Sequence, residues 1–239
     1  MNEKEIIAEY YRNFKEVSYE GTAGLGFNII WKTMEHIYRK EHFENVLEIG
    51  STHLEHLKYV RHTFDNYFAT DLVHHEVNQD IKVIIKNLPP GRRVITEIAD
   101  AMKLPYPDEF FDRTLTTCLF HHLSKPEIAM QEMLRVTKPG GVISFFLPYD
   151  PGVFFRFIRH LTTRRNARKL HALGTISEPK LIWALEHRNH IGGIRVLVRE
   201  VFKEQDIRVR HLPPFVKSSN FGVCEFLDIQ KVSGKRIEQ

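Results

Sequence analysis

The fold of this chain of 239 residues is decided by the stretch "NVLEIGSTHLEHL", residues 45–57. Its first part is a short apolar run that ends at Gly50, which is typical of a buried β-strand running into a tight turn. Glycine at such a turn can adopt a positive φ and lets the backbone approach a ligand closely. We therefore predict a ligand-binding loop directly after this strand.

Further strand-like runs follow this stretch, and helical patterns separate most of them. Strands are predicted in "NYFATDL", "RRVITEIAD", "FDRTLTTC", "GVISFFLP", "DIRVRHLPPF" and "GVCEFLDIQKV". Helices are predicted in "EKEIIAEYYRNFKEV", "NIIWKTMEHIYRK", "HLEHLKYVRHTF", "VHHEVNQDIKVIIKN", "KPEIAMQEMLRVT" and "IRVLVREVFKEQ". The glycine-containing "YEGTAGLGF" is predicted to separate the first two helices, and "KPGG" to end the fifth.

This alternation predicts an α/β fold: a doubly wound, mainly parallel seven-stranded sheet with an antiparallel last strand. A helical cap insertion is expected between the fifth and sixth strands. We divide the chain into an N-terminal helical segment or lid, residues 1–44, and a main domain, residues 45–239. Residues 150–193 form the basic cap insertion within the main domain.

Charge is distributed unevenly, although the net formal charge is only +4. Residues 151–239 carry 17 Lys and Arg against 8 Asp and Glu, whereas residues 1–150 carry 17 against 22. A basic second half favours anionic partners such as phosphate groups, nucleic acid or a membrane surface. The two cysteines, Cys118 and Cys224, argue against a disulfide framework and fit a reducing compartment. No apolar run approaches the roughly 20 residues that span a bilayer, so a cytoplasmic protein is expected.

The carboxyl ends of the first four predicted strands collect acidic and imidazole side chains, and ligands of doubly wound sheets bind outside these ends. Asp71 lies 21 residues beyond Gly50, the spacing at which an acid binds a ribose diol. Asp100 could accept a hydrogen bond from an exocyclic amine such as that of adenine. Taken alone, Asp71 could be a helix cap and the pair His121 and His122 could be packing residues. Their succession at neighbouring strand ends favours a binding site.

Several motifs in residues 100–148 occur together: Asp-Ala before Leu-Pro, then Phe-Asp, His-His-Leu, and Arg-Val-x-Lys-Pro-Gly-Gly. With them, the chain resembles the Rossmann-like (class I) S-adenosylmethionine-dependent methyltransferases, especially the methyltransferase type 11 group, over Val46 to Pro148. The resemblance implies S-adenosylmethionine as the cofactor. It implies cofactor contacts from the loop and the next strand ends: Glu48, Gly50, Ser51, Asp71, Leu72, Asp100, Ala101 and Leu119.

The family pattern of the loop is acid-x-Gly-x-Gly-x-Gly, and this chain departs from it. Thr52 and Leu54 stand where the second and third glycines are usual. S-adenosylmethionine has no pyrophosphate, so the backbone must approach the ligand over a smaller area than in a dinucleotide site. We therefore interpret the loop as a tolerated variant.

The catalytic base is predicted to be His122 or, failing it, His121, because an acceptor of alcohol type must lose a proton. His-His-Leu occurs in this family with many substrates, so the motif also indicates the fold. Acceptor contacts are predicted from side chains after the fifth strand: Tyr149, Arg156, Arg159, His187, Asn189 and His190. The last three could equally form a loop and helix cap. No metal site is predicted, since a metal needs more ligands at fixed spacing.

Residues 152–169 combine aromatic residues with six Arg and Lys and no acid. This composition fits an anionic membrane surface or a phosphate-bearing or lipid-linked acceptor. It also fits a cap helix whose aromatic face covers the active site while its arginines are solvated. Both interpretations stay open.

The predicted function is O-methylation of a small or carrier-linked anionic acceptor, such as a nucleotide- or lipid-linked sugar of a surface glycan. A quinone or lipid methyltransferase is one alternative, and a non-catalytic binding module of the same fold is another. A nucleic-acid base methyltransferase is disfavoured, because the fourth strand ends in "CLFHHL" instead of the Asn/Asp-Pro-Pro-aromatic signature. A cytoplasmic location is expected, with peripheral contact at the inner membrane face through residues 152–169 as an option.

Overall fold

The structure, a computed structural model, describes residues 13–19, 21–73, 77–174, 176 and 188–232. It contains a seven-stranded sheet with the strand order β3-β2-β1-β4-β5-β7-β6. The strands are β1 His42–Ile49, β2 Thr63–Asp71, β3 Arg93–Ile98, β4 Phe111–Thr117, β5 Thr137–Pro148, β6 Asp206–Leu212 and β7 Cys224–Gln230. β7 runs antiparallel to β5 and β6, while β1 to β5 pair in parallel.

Helices cover both faces of this sheet. The helices are α1 Phe14–Ser18, α2 Gly21–Glu35, α3 Gln79–Lys86, α4 Pro126–Val136, α5 Val153–Leu161, α6 Thr163–Ala172 and α7 Ile191–Val201. Short 3₁₀ helices lie at His36–Tyr38 and Glu55–Tyr59. On one face, α4 and α7 pack against Leu47 and Ile49, and on the other face α2 packs against Val46. Because β1 is covered on both faces, residues 45–49 are all buried, including the polar Asn45 and Glu48.

This topology confirms the predicted doubly wound sheet with an antiparallel last strand and helices α5 and α6 inserted between β5 and β6. The predicted apolar face of the helix after residue 190 is also confirmed. Ile194, Val198 and Phe202 are buried, and Leu197 and Val201 pack against the same core. The helical period of the apolar residues was sufficient to predict which face is buried, because only one face of this helix meets the sheet.

The helix predicted after β1 in residues 53–64 is wrong. Only Glu55–Tyr59 forms a 3₁₀ helix, and β2 already begins at Thr63. Leu54 precedes this turn with a left-handed backbone, and Val60 follows it in an extended conformation. Glu55, His56 and Leu57 are all buried, so the segment enters the core instead of lying along the surface.

The predicted break between the first two helices is present but shorter than expected, because α1 ends at Ser18 and α2 begins at Gly21 and runs through the glycines. A Cβ on Gly24 would lie 2.0 Å from the carbonyl oxygen of Tyr19. Glycine therefore lets the preceding chain pack directly against the helix. The predicted end of the fifth helix before "KPGG", residues 138–141, is confirmed, since α4 ends at Val136. These four residues lie within β5, where the pairing with β4 shifts register.

Parts of two predicted helices, residues 1–12 and 74–76, lie outside the described residues. Among the residues that the structure describes, no helix is long and apolar enough to cross a membrane.

Candidate active site

The turn after β1 follows the backbone path that glycines normally favour. The φ angles are +71° at Gly50, +41° at Thr52 and +60° at Leu54, so three alternate residues are left-handed. The shape of the glycine loop is thus present although two of its usual glycines are not. A Cβ on Gly50 would lie 3.0 Å from the side chain of Leu119. Two predicted cofactor residues, from β1 and from the end of β4, therefore meet at this turn.

Asp71, the last residue of β2, fastens this loop. One carboxylate oxygen accepts a hydrogen bond from the N–H of Thr52 at 2.8 Å, and the other from the N–H of Leu72 at 2.7 Å. The N–H of Ser51 donates to the carbonyl oxygen of Thr70 at 3.1 Å. A carboxylate has about four acceptor sites, so Asp71 can hold the loop and still accept from a ribose hydroxyl. That ribose contact stays a prediction.

Glu48 lies in a buried polar network. Its carboxylate accepts a hydrogen bond from the hydroxyl of Tyr67 at 2.6 Å and lies 3.4 Å from Nδ1 of His56. Nε2 of the same imidazole lies 3.4 Å from Glu35, which accepts two hydrogen bonds from Arg113 at 2.6 and 2.9 Å. The network connects the end of α2 to the end of β1. A direct contact of Glu48 with the cofactor stays a prediction.

Burial and charge set the ionisation of this network. Burial disfavours the charged form of His56, but the carboxylates of Glu48 and Glu35 outweigh it and raise the pKa of the imidazole to about 9. Burial and the charge of Arg113 lower the pKa of His62 to about 3. Burial opposes ionisation of Glu35, yet Arg113 and His56 hold the pKa of this carboxyl well below its usual value. At neutral pH, His56 and Glu35 are therefore charged and His62 is neutral.

These two histidines predict a stability maximum near pH 6.5, the pKa of an unfolded histidine being about 6.5. The raised pKa of His56 stabilises the folded state fully below that pH, and this contribution is lost as the pH rises to about 9. The lowered pKa of His62 stabilises the folded state fully above pH ~6.5. This second contribution is lost as the pH falls toward about 3. We expect the free energy of unfolding to fall by about 3 kcal/mol on the alkaline side, because each unit of the pKa difference of His56 contributes about 1.4 kcal/mol.

Urea denaturation as a function of pH checks this prediction. His56→Gln should flatten the alkaline limb and His62→Gln the acidic limb, whereas His190→Gln, at an exposed position, should change neither. A wild-type stability that does not change above pH ~6.5 would contradict the assigned charge of His56.

The end of β3 is attached to the end of β2. The N–H of Ala99 donates to the carbonyl oxygen of Asp71 at 2.9 Å. The carboxylate of Asp100 accepts from the N–H of Met102 at 2.8 Å, and Ala101 beside it is buried. The predicted ribose and adenine residues thus lie at neighbouring strand ends. Their contacts with the cofactor stay predictions.

The end of β4 brings both predicted bases to the same edge. Cys118 has a φ of +70°, and its Sγ lies 3.0 Å from Nε2 of His121, which is buried. His122 is only half-buried, and its ring centre lies 5.1 Å from that of His121. That either histidine acts as the base toward an acceptor stays a prediction.

Asn189 connects the start of α7 to the chain after β4. Its side-chain amide donates to the carbonyl oxygens of Phe120 at 3.0 Å and Leu123 at 2.7 Å. Its backbone N–H and that of Arg188 donate to the carbonyl oxygen of His121, at 3.3 and 3.0 Å. The amide nitrogen thus holds the histidine segment in place.

His187 and His190 were predicted together with Asn189 to contact the acceptor. His190 is the exposed N-cap residue of α7 but makes no side-chain capping hydrogen bond. His187 lies outside the described residues. Among the described residues, no group of three or more His, Cys, Asp or Glu side chains is arranged to hold a metal ion.

Tyr149 is buried at the end of β5 and points to the neighbouring hairpin. Its hydroxyl lies 2.6 Å from Nδ1 of His211, and the guanidinium of Arg195 lies 5.3 Å from the ring centre. Burial and the carboxylate of Glu225 raise the pKa of Tyr149 to about 12. Tyr149 therefore packs against β6 and the loop between β6 and β7, and its contact with the acceptor stays a prediction.

Four arginines of α5 and α6 gather beside the end of β5. Arg159 donates to the carboxylate of Asp150 at 2.9 Å. Arg164 is half-buried, and its burial together with the charges of Arg159 and Arg156 lowers the pKa of its guanidinium. Positive charge thus exceeds negative charge at this place, which favours binding of an anion. We call Arg156, Arg159, Arg164 and Arg168 the arginine cluster.

Tyr19 reaches the cofactor edge from the N-terminal segment, and the sequence gave no signal for it. Asn166 of α6 holds this segment by donating to the carbonyl oxygen of Val17 at 3.1 Å. Burial raises the pKa of Tyr19 well above its usual value. Acidic groups from four separate places in the chain raise it further: Cys118, Glu48, Glu55 and Asp71. Only the tertiary structure brings these groups together.

Comparison with known proteins shows which families part of this chain resembles. Residues 47–145 match the family described as "Methyltransferase domain". The "Ubiquinone/menaquinone biosynthesis C-methyltransferase UbiE" of Burkholderia orbicola (strain MC0-3) is 31% identical over 83 residues, which cover 33% of this chain and 34% of that protein. The "tRNA (carboxymethyluridine(34)-5-O)-methyltransferase" of Arabidopsis thaliana is 43% identical over 56 residues, covering 22% of this chain and 13% of that protein.

The chain thus spans about a third or less of the length of these relatives. A provisionally assigned S-adenosyl-L-methionine-dependent methyltransferase of Methanococcus maripaludis superposes with a TM-score of 0.62, at 16% identity and 99% coverage of both chains. At this identity the likeness shows the fold. Family and fold together indicate S-adenosylmethionine as the cofactor. Residues 47–145 match the "Methyltransferase domain" family, and the fold of the chain is that of the class I S-adenosylmethionine-dependent methyltransferases.

Proposed function

We propose that the chain binds S-adenosylmethionine at the carboxyl ends of β1 to β4 and transfers its methyl group to an acceptor with an anionic group. The main observation in support is the left-handed loop after β1, which is hydrogen-bonded to Asp71 and adjacent to Leu119. When bound, the cofactor supplies an electrophilic methyl group on a positively charged sulfur. The residues proposed to contact it are Glu48, Gly50, Ser51, Asp71, Leu72, Asp100, Ala101 and Leu119.

The arginine cluster supports an anionic acceptor. Arg164 is half-buried among like charges, and Asp150 is the carboxylate that opposes them. A phosphate or carboxylate group would relieve this repulsion, and guanidinium groups bind both in a bidentate manner. A carrier-linked sugar phosphate, attached to a nucleotide or a lipid, has the required chemistry. We therefore propose O-methylation of such a glycan precursor as the first candidate reaction.

In this proposal His122 accepts the proton of the acceptor hydroxyl as the methyl group is transferred. The residue is half-buried at the end of β4, close to Leu119, whose carbonyl oxygen accepts its N–H at 2.9 Å. Because methyl transfer is an in-line displacement, most of the rate depends on orienting the acceptor oxygen. The hydrogen bonds of Asn189 orient the segment that carries this histidine.

A quinone or lipid acceptor is the second candidate. The matched quinone methyltransferase by its name favours it, as do the exposed apolar side chains of α5. We also propose that the N-terminal segment with Tyr19 is a lid over the cofactor edge, held closed by α6. The chain acts in the cytoplasm in this proposal, with the acceptor edge near a membrane.

Calorimetric titration with S-adenosylhomocysteine, followed by methyl-transfer assays, tests the proposal. Asp71→Ala should weaken binding about 10- to 100-fold, because hydrogen bonds to a charged group contribute about 1.5–3 kcal/mol. Arg164→Gln should keep cofactor affinity but raise KM for a phosphate-bearing acceptor. Arg199→Gln, on the exposed side of α7, should change neither.

Three outcomes separate the candidates. Failure of the wild-type chain to bind S-adenosylhomocysteine would reject the methyltransferase and favour a non-catalytic module. Equal effects of Arg164→Gln and Arg199→Gln on the acceptor KM would reject the anionic acceptor. Transfer to a neutral quinol but not to sugar phosphates would establish the second candidate.

A further inference from the structure

The outer side of α5 is apolar and exposed. Val153, Phe154, Phe157 and Leu161 leave much of their side chains in water, and Phe157 is 58% exposed. At about 100° per residue these four positions fall within an arc of roughly 100°. Arg156 lies beside this arc and is also exposed. The helix is therefore amphipathic with its apolar stripe facing outward, the reverse of a helix that packs on a core.

A second segment extends this stripe. The loop between β6 and β7 exposes Phe215, at 88%, and Phe221, at 72%. The carbonyl oxygen of Asn220 accepts the N–H of Phe154 at 2.9 Å. The loop thus abuts the start of α5, although the two segments are distant in sequence. We call the exposed Val153, Phe154, Phe157, Leu161, Phe215 and Phe221 the apolar surface.

The two segments that carry the apolar surface contain charged side chains of one sign. Residues 152–169 and 213–222 contain seven Arg and Lys and no Asp or Glu. Lys217 lies between the two exposed phenylalanines of the loop and is itself exposed. Aromatic and aliphatic side chains flanked by cations match the interface of an anionic bilayer, where rings enter the headgroup region and cations meet phosphates.

We propose that the apolar surface docks the protein on the surface of a membrane containing anionic lipids. The occupant is a bilayer because exposed cationic side chains accompany the exposed apolar side chains on two separate segments. Exposed apolar groups of this kind mark an interaction site when they are contiguous. Since α5 directly follows the end of β5, docking brings the carboxyl edge of the sheet close to the lipid headgroups. The docking does not depend on methyl transfer and is tested without it.

Vesicle sedimentation tests this docking with the full chain. The wild type should sediment with vesicles containing about 30% phosphatidylglycerol more than about tenfold better than with phosphatidylcholine alone, and high salt should weaken the binding. The double variant Phe157→Ser with Phe221→Ser should lose about tenfold or more in partitioning. Lys217→Glu with Arg165→Glu should lose the preference for anionic vesicles.

Val196→Ser is the matched control, since this exposed apolar residue lies on α7 and should sediment as the wild type does. Unchanged S-adenosylhomocysteine binding by every variant shows that the fold is intact. Absence of wild-type binding to both vesicle types would overturn the proposal. Equal sedimentation of the phenylalanine variant would also overturn it. Self-association that the same phenylalanine variant abolishes, without vesicle binding, would assign the surface to a second copy of the chain instead.

Discussion

Arg113→Met is expected to lower the free energy of unfolding by about 3 to 5 kcal/mol, the usual effect of removing one partner from a buried ion pair. The guanidinium is fully buried and donates to both oxygens of Glu35, and to the hydroxyl of Ser144 at 3.1 Å. Without it, the Glu35 carboxylate keeps only the imidazolium of His56 as a cationic partner at 3.4 Å among the described residues. Urea denaturation of wild type and variant measures the difference.

Two further variants identify the cause. Adding Glu35→Gln to Arg113→Met removes the unpaired charge and should recover part of the lost stability. Lys203→Met breaks an exposed pair with Glu200 at 3.3 Å and should change stability by well under 1 kcal/mol. If the double variant is no more stable than Arg113→Met alone, lost packing of the arginine is the cause and the electrostatic explanation fails.

The second large effect is expected at Leu54, where the family pattern would place a glycine. Leu54→Gly should lower the free energy of unfolding by about 3 kcal/mol. The side chain is 0% exposed and belongs to the core beside Val46 and Leu57. Deleting a buried leucine side chain costs about 3 to 5 kcal/mol, and relief of the left-handed backbone offsets only about 1 to 2 kcal/mol.

Thr52→Gly is the matched variant, because it relieves the same kind of backbone strain without removing a core side chain. Thr52 is half-buried with a φ of +41°, so we expect a gain of up to about 1 kcal/mol. Denaturation of both variants in one buffer compares them directly. A neutral Leu54→Gly would show that core packing does not explain the leucine at this position.

The sheet could be predicted because its signals are local. The strands are short runs rich in β-branched and aromatic residues, and α7 shows an apolar face of helical period that meets the sheet as expected. The carboxyl ends of β1, β2, β3 and β4 could be found in the same way, since a strand end follows from the strand. Gly50 and Leu119 therefore come together, as do Asp71 and Asp100.

The remaining features depend on partners that are far apart in the chain. Arg113 and Glu35 are separated by 78 residues, and no spacing rule connects them. Burial of His56 with this pair draws the segment after β1 into the core, so the helix that its apolar spacing favoured does not form. Tyr19 and Tyr149 are placed by the same kind of long-range contact, and the partner of the Tyr149 hydroxyl, His211, is 62 residues away in the chain.

The left-handed turn at residues 50–54 has a consequence for how such domains diverge. Its path is held by Asp71 and by the burial of Leu54, and Gly50 is the only glycine in it. Mutational constraint therefore shifts from the glycine positions to the residues that hold the turn from outside. A lineage can exchange these glycines one at a time while the loop keeps its shape. A sequence search that requires the glycines would then overlook such a domain. A search for the carboxylate at the end of β2, here Asp71, would find it.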